Sequence, residues 1–87
     1  MYDRYYVYVL KSLKHIFHYI GHTQNIQDRL KSHNCKKVRS TKAHVPLEVI
    51  YTEYYPTKSE AAKREYYLKT AEGNICLRQH LKDLGLW

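Results

Sequence analysis

The sequence predicts one small α+β domain in which helices cover a small sheet. Three observations support this prediction: two aromatic and β-branched runs near the N-terminus, helix-capping signals further along, and leucines at helical spacing towards the C-terminus. With 87 residues, the chain has enough length for one hydrophobic core and not for two. We therefore expect residues 1–87 to form a single domain.

The first two strands are predicted to form an antiparallel hairpin. Residues 5–10 are mostly aromatic and β-branched, which is typical of a strand covered on both faces. Residues 16–20 have a similar composition, and the polar residues 11–14 between the two runs suit a short connecting loop. Gly21 is expected to end the second strand.

The first helix is marked by its N-cap. Asn25 is the predicted N-cap and Asp28 lies at position N3, so we expect a helix that ends near Asn34. Ile26 and Leu30 are four residues apart and give this helix an apolar face.

A basic loop and a third strand are predicted next. Residues 35–46 have no acidic residue and no clear periodicity, and their cationic residues are Lys36, Lys37, Arg39 and Lys42. Residues 47–53 alternate, which predicts a strand with two different faces. The two faces are Leu47, Val49 and Tyr51, and Glu48, Ile50 and Thr52.

Two further helices complete the chain. The capping box formed by Thr57 and Glu60 begins a helix that we expect to run to about Thr70. Gly73-Asn74 is expected to break the chain before a third helix, which ends before Gly85 and has a leucine stripe of Leu77, Leu81 and Leu84. The predicted order is therefore β-β-α-β-α-α.

Charge indicates the class of partner. Fifteen Lys and Arg against eight Asp and Glu give a net charge of +7, which favours nucleic acid or, less often, an anionic membrane surface. The apolar runs are far shorter than the roughly 18 residues of a spanning helix, and a signal peptide is missing, so we expect no membrane partner and a cytoplasmic location. Cys35 and Cys76 form no CxxC pair, and the histidine spacings match no usual zinc site.

Two polar residues break the apolar face of the first helix. Helical spacing places Arg29 and His33 beside Ile26 and Leu30, on the side that should face inward. One interpretation is structural: Arg29 extends to the rim and His33 is a hydrogen-bonded helix-end histidine. The other is functional and requires an anion near Arg29.

A carboxylate breaks the apolar face of the second helix. Glu65 shares a stripe with Ala61 and Leu68, so its carboxylate is expected to face the sheet. Burial of an ionised carboxylate costs several kcal/mol unless a cation or donor meets it. Glu65 therefore pairs with Arg29 or Lys69, or it binds a metal; periodicity leaves these alternatives open.

Two tyrosines are expected on one face of the hairpin. Tyr8 and Tyr19 lie on neighbouring predicted strands, and an antiparallel pairing of this length can bring them together. They form either an ordinary cross-strand aromatic pair or part of a site.

The polar residues form a pattern that resembles the GIY-YIG nuclease family over nearly the whole chain. The matching segments are Tyr6-Val7-Tyr8, Tyr19-Ile20-Gly21, Asn25 with Arg29 and His33, and Arg64-Glu65 before Leu68-Lys69. The resemblance implies a three-stranded antiparallel sheet flanked by helices. It also implies phosphodiester cleavage with one divalent metal, Mg²⁺ or Mn²⁺.

The resemblance also implies roles for individual residues. Tyr19 corresponds to the general base, Tyr8 to the residue that orients water or phosphate, and Arg29 to the phosphate-binding arginine. Glu65 corresponds to the metal ligand and His33 to an assisting histidine. The supporting positions are Gly21, Asn74 and His22, of which His22 is a candidate to help ionise Tyr19, since a tyrosine ordinarily titrates near pH 10.

The match is incomplete, and other functions stay open. Tyr6 stands where the first motif has glycine, and no second carboxylate completes the metal site, so water and phosphate oxygens must supply most ligands. The main alternative is a non-catalytic nucleic-acid-binding module that uses the basic loop and stacks bases on Tyr6 and Tyr8. A third is a subunit that only contacts another protein. DNA is the expected substrate and RNA an alternative; sequence specificity would need a homodimer or a recruiting protein.

Overall fold

Within the described residues, the fold is an α+β arrangement of three strands and three α-helices, with one turn of 3-10 helix (Lys42–His44) in the basic loop. A computed structural model describes residues 4–87. The strands are β1 (Tyr5–Ser12), β2 (His18–Thr23) and β3 (Leu47–Tyr55), and the helices are α1 (Ile26–Asn34), α2 (Lys58–Lys69) and α3 (Ala71–Asp83). The predicted fold class and element order are confirmed. No helix among residues 4–87 has the length and apolar character needed to cross a membrane.

The sheet is antiparallel and has the order β2-β1-β3, so β1 is its central strand. Both faces of β1 are covered, as its composition predicts, and Val7 to Leu10 are all buried. On one face, Val7 and Val9 pack against Ala61 of α2 and residues of α3. On the other, Tyr8 and Leu10 pack against apolar residues of α1 and β3. Because β1 is central, β2 is an edge strand, with α1 on one side of the sheet and α2 and α3 on the other.

The hairpin differs from its prediction in its boundaries. β2 begins at His18 instead of residue 16, and Ile16 is fully exposed in the connection. Gly21 does not end β2: it pairs with Tyr8 inside the strand, which continues to Thr23. The reason is side-chain packing across the strand, because the small residue makes room for the ring of Tyr8.

The predicted alternation of β3 fails in the middle of the strand. Val9 pairs with Tyr51 and Leu10 with Val49, so Ile50 is an extra residue that forms a β-bulge. Leu47 and Val49 face α1, whereas Tyr51 lies in the cluster on the opposite face. The bulge therefore turns the second half of β3 over, which binary patterning alone does not indicate.

The helix caps follow the sequence signals, with one exception. Asn25 and Thr57 accept the main-chain N–H bonds expected of N-caps. The predicted break at Gly73-Asn74 is wrong: Thr70 both ends α2 and caps α3, so Gly73 lies in the first turn of α3. A Cβ at Gly73 would collide with the main-chain oxygen of Tyr67, so this glycine allows the sharp turn between the helices.

Candidate active site

A chain of hydrogen bonds links the central strand, α1 and the basic loop. The hydroxyl of Tyr8 lies 3.0 Å from Nε2 of His33, and Nδ1 of His33 lies 2.8 Å from Oγ1 of Thr41. Nε of Arg29 donates to the same Tyr8 oxygen at 3.4 Å. His33 and Thr41 are both 0% exposed, so the network is shielded from solvent at its inner end.

The direction of these bonds follows from their donors. Thr41 donates its hydroxyl to the main-chain oxygen of Val38, so it accepts from Nδ1–H of His33. Nε2 of His33 is then an acceptor, and the Tyr8 hydroxyl donates a hydrogen bond to it. Burial, aided by the charge of Arg29, lowers the pKa of His33, which keeps the imidazole neutral as this arrangement requires.

The shifted pKa values of Tyr8 and Arg29 determine which protonation state each side chain has near neutral pH. Burial raises the pKa of Tyr8, and the hydrogen bond from Arg29 offsets only part of that rise. Tyr8 therefore keeps its proton near neutral pH. The hydrogen bond to Tyr8 raises the pKa of Arg29, with a smaller contribution from Tyr19, so the guanidinium stays charged.

Gly21 gives Tyr8 access to the edge of the sheet. A Cβ built on Gly21 would lie 2.5 Å from the Tyr8 hydroxyl oxygen and 3.1 Å from Cε2 of Tyr19. The first distance is too short for a real Cβ, and the second would require a small shift of the Tyr19 ring. The motif glycine is thus required because the ring of Tyr8 crosses over β2 at this point.

Tyr19 lies at the outer side of this cluster. Its ring centroid is 6.3 Å from that of Tyr8 and 5.0 Å from that of His33. Nζ of Lys69 lies 5.7 Å from the ring centre, which is within the range of a cation–π contact. The predicted proximity of Tyr8 and Tyr19 is observed, and Arg29 and His33 reach the same cluster from α1.

Glu65 lies beside β2 and binds two nitrogen groups. Its Oε1 is 2.6 Å from Nδ1 of His22, and its Oε2 is 2.7 Å from Nζ of Lys69. Burial alone would raise the pKa of Glu65, but the hydrogen bonds from Lys69 and His22 outweigh it, so the pKa lies below its ordinary value. Of the two ion pairs predicted as alternatives, the one with Lys69 forms.

The donor set at Glu65 can be compared with the metal that the sequence resemblance implies. Among the residues that the structure describes, no cluster of three or more His, Cys, Asp or Glu side chains could hold a metal ion. Glu65 offers one ionised carboxylate at an accessible edge, with His22 beside it. Mg²⁺ commonly takes one or two carboxylates and fills its remaining positions with water and phosphate oxygens. The residues present fit such an ion.

Asn74 and the basic loop flank the cluster at some distance. Asn74 donates its amide to the main-chain oxygen of Leu68, and it lines the same cleft as Tyr19 and Lys69. The four cationic residues of the loop are all exposed: Lys36, Lys37, Arg39 and Lys42. The hydrogen bond between Thr41 and His33 attaches this loop to the Tyr8 cluster.

Two contacts in the site were not anticipated from the sequence. Thr41 is a buried threonine within an irregular loop, and no periodicity relates it to His33. The contact between His22 and Glu65 joins a strand to a helix 43 residues away. Neither contact has a local sequence signal, because both depend on how distant elements pack.

Comparison with known proteins identifies the family. The chain belongs to the GIY-YIG family, since the profile of the GIY-YIG catalytic domain matches residues 4–82. This is a family of endonucleases that generally depend on a divalent metal. The resemblance seen in the sequence motifs is therefore confirmed.

Particular relatives are UPF0213 proteins. UPF0213 protein SERP0126 of Staphylococcus epidermidis is 41% identical over 69 residues, which are 78% of this chain and 83% of that protein. UPF0213 protein SH2523 of Staphylococcus haemolyticus is 38% identical over 68 residues, which are 77% of this chain and 82% of that protein. The solution NMR structure of UPF0213 protein BH0048 from Bacillus halodurans has a TM-score of 0.53 and 29% identity, covering 87% of this chain and 83% of that one.

Proposed function

We propose that this protein is a metal-dependent endonuclease that hydrolyses phosphodiester bonds in DNA. One observation carries the proposal: the guanidinium of Arg29 and the rings of Tyr8 and Tyr19 form one cluster at the edge of β2. Glu65 is linked to this cluster through Lys69, which contacts both the carboxylate and the Tyr19 ring. The residues to which we assign phosphate binding, the general base and metal binding are thus connected through direct contacts.

The two tyrosines differ in what they can do. Tyr8 donates a hydrogen bond to His33 and has a raised pKa, so it serves as a fixed, protonated hydroxyl that orients water or phosphate. Tyr19 lies next to Arg29, whose pKa it helps to raise through its charge and a hydrogen bond. We assign the general base to Tyr19. His22 supports the site through Glu65, which it contacts directly.

In the proposed reaction, a water oxygen bonds to phosphorus while the bond from phosphorus to the 3′ oxygen breaks. Tyr19 as its phenolate takes the water proton, and the leaving oxygen gains a proton from solvent. Arg29 binds the phosphate and stabilises the charge that develops on its oxygens. Glu65 would hold Mg²⁺ or Mn²⁺, which when bound supplies Lewis-acid stabilisation of the leaving 3′ oxygen.

The basic loop supplies binding without sequence recognition. Its exposed lysines and arginine can contact phosphates, which position a nucleic acid but carry no sequence information. DNA is the proposed substrate, and RNA is a competing substrate in the cleavage test. Three further statements stay predictions. They are that residues 1–87 form a single domain, that the protein is cytoplasmic, and that it forms a dimer or binds a recruiting protein.

The burial of Tyr8 argues against the stacking module considered as an alternative. Tyr8 is only 2% exposed and its hydroxyl is engaged by Arg29 and His33, so its face is unavailable to a base. Tyr6, the other residue of that module, packs against Tyr54 with ring centroids 5.8 Å apart. A base-stacking platform on these two tyrosines is therefore less well supported than the nuclease.

Cleavage assays on a panel of substrates test the proposal. Labelled duplex, single-stranded and flapped DNA, and RNA, are incubated with the protein in Mg²⁺, in Mn²⁺ and in EDTA. We expect products only with metal, and Tyr19→Phe should slow their formation at least about a hundredfold. Tyr66→Phe is the matched control, because Tyr66 is an exposed tyrosine on α2. Equal rates for the two variants, or equal cleavage in EDTA, would disprove the mechanism.

A further inference from the structure

A cleft runs along the outer edge of β2, directly beside Tyr19. Its volume is about 330 Å³, at the small end of the range of ligand-binding pockets. Its lining includes Phe17, His18, Tyr19, Lys69, Asn74 and Trp87. Because β2 is an edge strand, alternate main-chain groups along it point away from β1.

The wall of this cleft is a stacked aromatic pair. The rings of His18 and Trp87 are nearly parallel, with an angle of 7° and centroids 3.6 Å apart. Burial, together with the charge of Lys11, lowers the pKa of His18, so the imidazole adds a flat neutral surface. Nζ of Lys11 donates to the main-chain oxygen of Trp87 at 2.9 Å, which fixes the main chain of Trp87 to β1.

The lining of the cleft also contains polar and cationic groups. Lys69 is one of them, and its ammonium contacts both the Tyr19 ring and Glu65. Asn74 uses one amide hydrogen on the main-chain oxygen of Leu68, so its side chain has further donor and acceptor capacity. Flat aromatic surface, amide hydrogen-bonding groups and a nearby cation are the features that bind a base attached to a phosphate.

We propose that this cleft binds the base of one unpaired nucleotide next to the scissile phosphate. The inference rests on the proposed function, which places that phosphate at Arg29 and Tyr8. Tyr19 belongs to both places, so a nucleotide whose phosphate meets Arg29 can direct its base along the Tyr19 ring into the cleft. A paired base is held within the duplex stack and must first be flipped out, so unpaired nucleotides are preferred.

Tryptophan fluorescence reports on this cleft specifically, because Trp87 is the only tryptophan in the chain. The protein is titrated in EDTA with an eight-nucleotide thymidine oligomer and with a blunt hairpin duplex of similar charge. We expect the single-stranded oligomer to quench Trp87 saturably and the duplex to leave its emission nearly unchanged. Equal quenching by both, or quenching by neither, would overturn the proposal.

Variants separate stacking from general affinity. In anisotropy measurements with labelled oligomer, Trp87→Leu should weaken binding about tenfold, and Trp87→Phe should retain most of it because an aromatic face remains. Tyr54→Leu, an exposed aromatic on β3 at the other edge of the sheet, is the matched control and should bind as the parent does. Thermal melts confirm that each variant is folded. Unchanged affinity in folded Trp87→Leu would refute the base site.

These measurements are independent of cleavage. A protein that binds the oligomer through Trp87 but cuts nothing in Mg²⁺ or Mn²⁺ contradicts the nuclease function and leaves the base site standing. A protein that cuts normally and shows neither the quenching nor the effect of Trp87→Leu contradicts the base site alone.

Discussion

Two carboxylates lie between α2 and the sheet, but they accept different numbers of hydrogen bonds. Arg64 and Glu65 are consecutive on α2; Arg64 binds Glu53 of β3, and Glu65 binds His22 of β2. Glu53 accepts four hydrogen bonds, from Tyr51, Tyr55 and two nitrogens of Arg64. Glu65 accepts two, from His22 and Lys69. One carboxylate is saturated by its partners and the other is not.

The difference separates a structural ion pair from a candidate ligand. Burial raises the pKa of Tyr51 to about 12, with a contribution from Glu53. Burial alone would raise the pKa of Glu53, but its hydrogen bonds from Arg64, Tyr51 and Tyr55 keep that pKa below the ordinary value. Its oxygens therefore have little capacity left for a further ligand. Glu65 accepts hydrogen bonds only from His22 and Lys69, so its oxygens keep capacity to accept from water or to bind a metal.

Replacement of the unsaturated carboxylate is expected to have the largest effect. Glu65→Gln should reduce metal-dependent cleavage at least about a hundredfold, because the proposed ligand of the ion is lost. Stability should change by less than about 1 kcal/mol, since the partners left behind reach solvent. Cleavage rates and urea unfolding measure the two effects. Glu48→Gln, an exposed change on β3, is the control; cleavage by Glu65→Gln at the control rate would contradict the assignment.

Replacement of the saturated carboxylate should have the reverse pattern. Glu53→Gln weakens the bonds from Arg64 and two tyrosines, so we expect a loss of about 2 kcal/mol in the free energy of unfolding. The cleavage rate per folded molecule should stay near that of the parent. A variant with parental stability would show that this cluster does not support the fold.

The same variant gives a pH dependence of known sign. The folded-state pKa of Glu53 lies below its ordinary value of 4.5, so its contribution is complete above pH 4.5 and is lost as the pH falls through the folded-state value. The stability difference between the parent and Glu53→Gln should therefore narrow in acid. Unfolding at pH 7 and at pH 3 measures it, and a constant difference would exclude the linkage.

A smaller effect is expected from the ammonium that contacts Glu65. Lys69→Met removes a positive charge next to the proposed metal position, so Mn²⁺ should bind about tenfold more tightly. Isothermal titration measures this affinity directly, without any cleavage step. Lys63→Met removes an exposed lysine of the same helix and serves as the control. If both variants bind Mn²⁺ equally, Lys69 does not compete with metal for Glu65.

The smallest predicted change concerns binding at a distance from both carboxylates. Replacement of Lys37 and Arg39 by alanine should reduce the slope of log K against log salt on duplex DNA, by about 0.9 for each phosphate that the protein no longer neutralises. Cleavage chemistry at saturating DNA should be unaffected. Fluorescence anisotropy at several salt concentrations gives the slope. An unchanged slope and affinity would remove the basic loop from the binding surface.

Local signals account for the elements and motifs that could be predicted. Asn25 and Thr57 cap their helices as expected, since a cap is a bond between residues three positions apart. Arg29 and His33 share a helix face because they are four residues apart on α1. Glu65 faces the sheet in one stripe with Ala61 and Leu68, as helical periodicity indicates.

The remaining features depend on packing between distant segments. The bulge at Ile50 determines the face of the sheet on which Glu53 lies. Gly21 lies inside a strand because the ring of Tyr8 fills the space that a side chain would need. The contact of Thr41 with His33 depends on where the loop packs. The contact of His22 with Glu65 depends on how α2 packs against the sheet. Helix caps and periodicities are determined within a few residues of sequence. Strand register and loop placement depend on the packing of the whole core, so no short stretch of sequence predicts them.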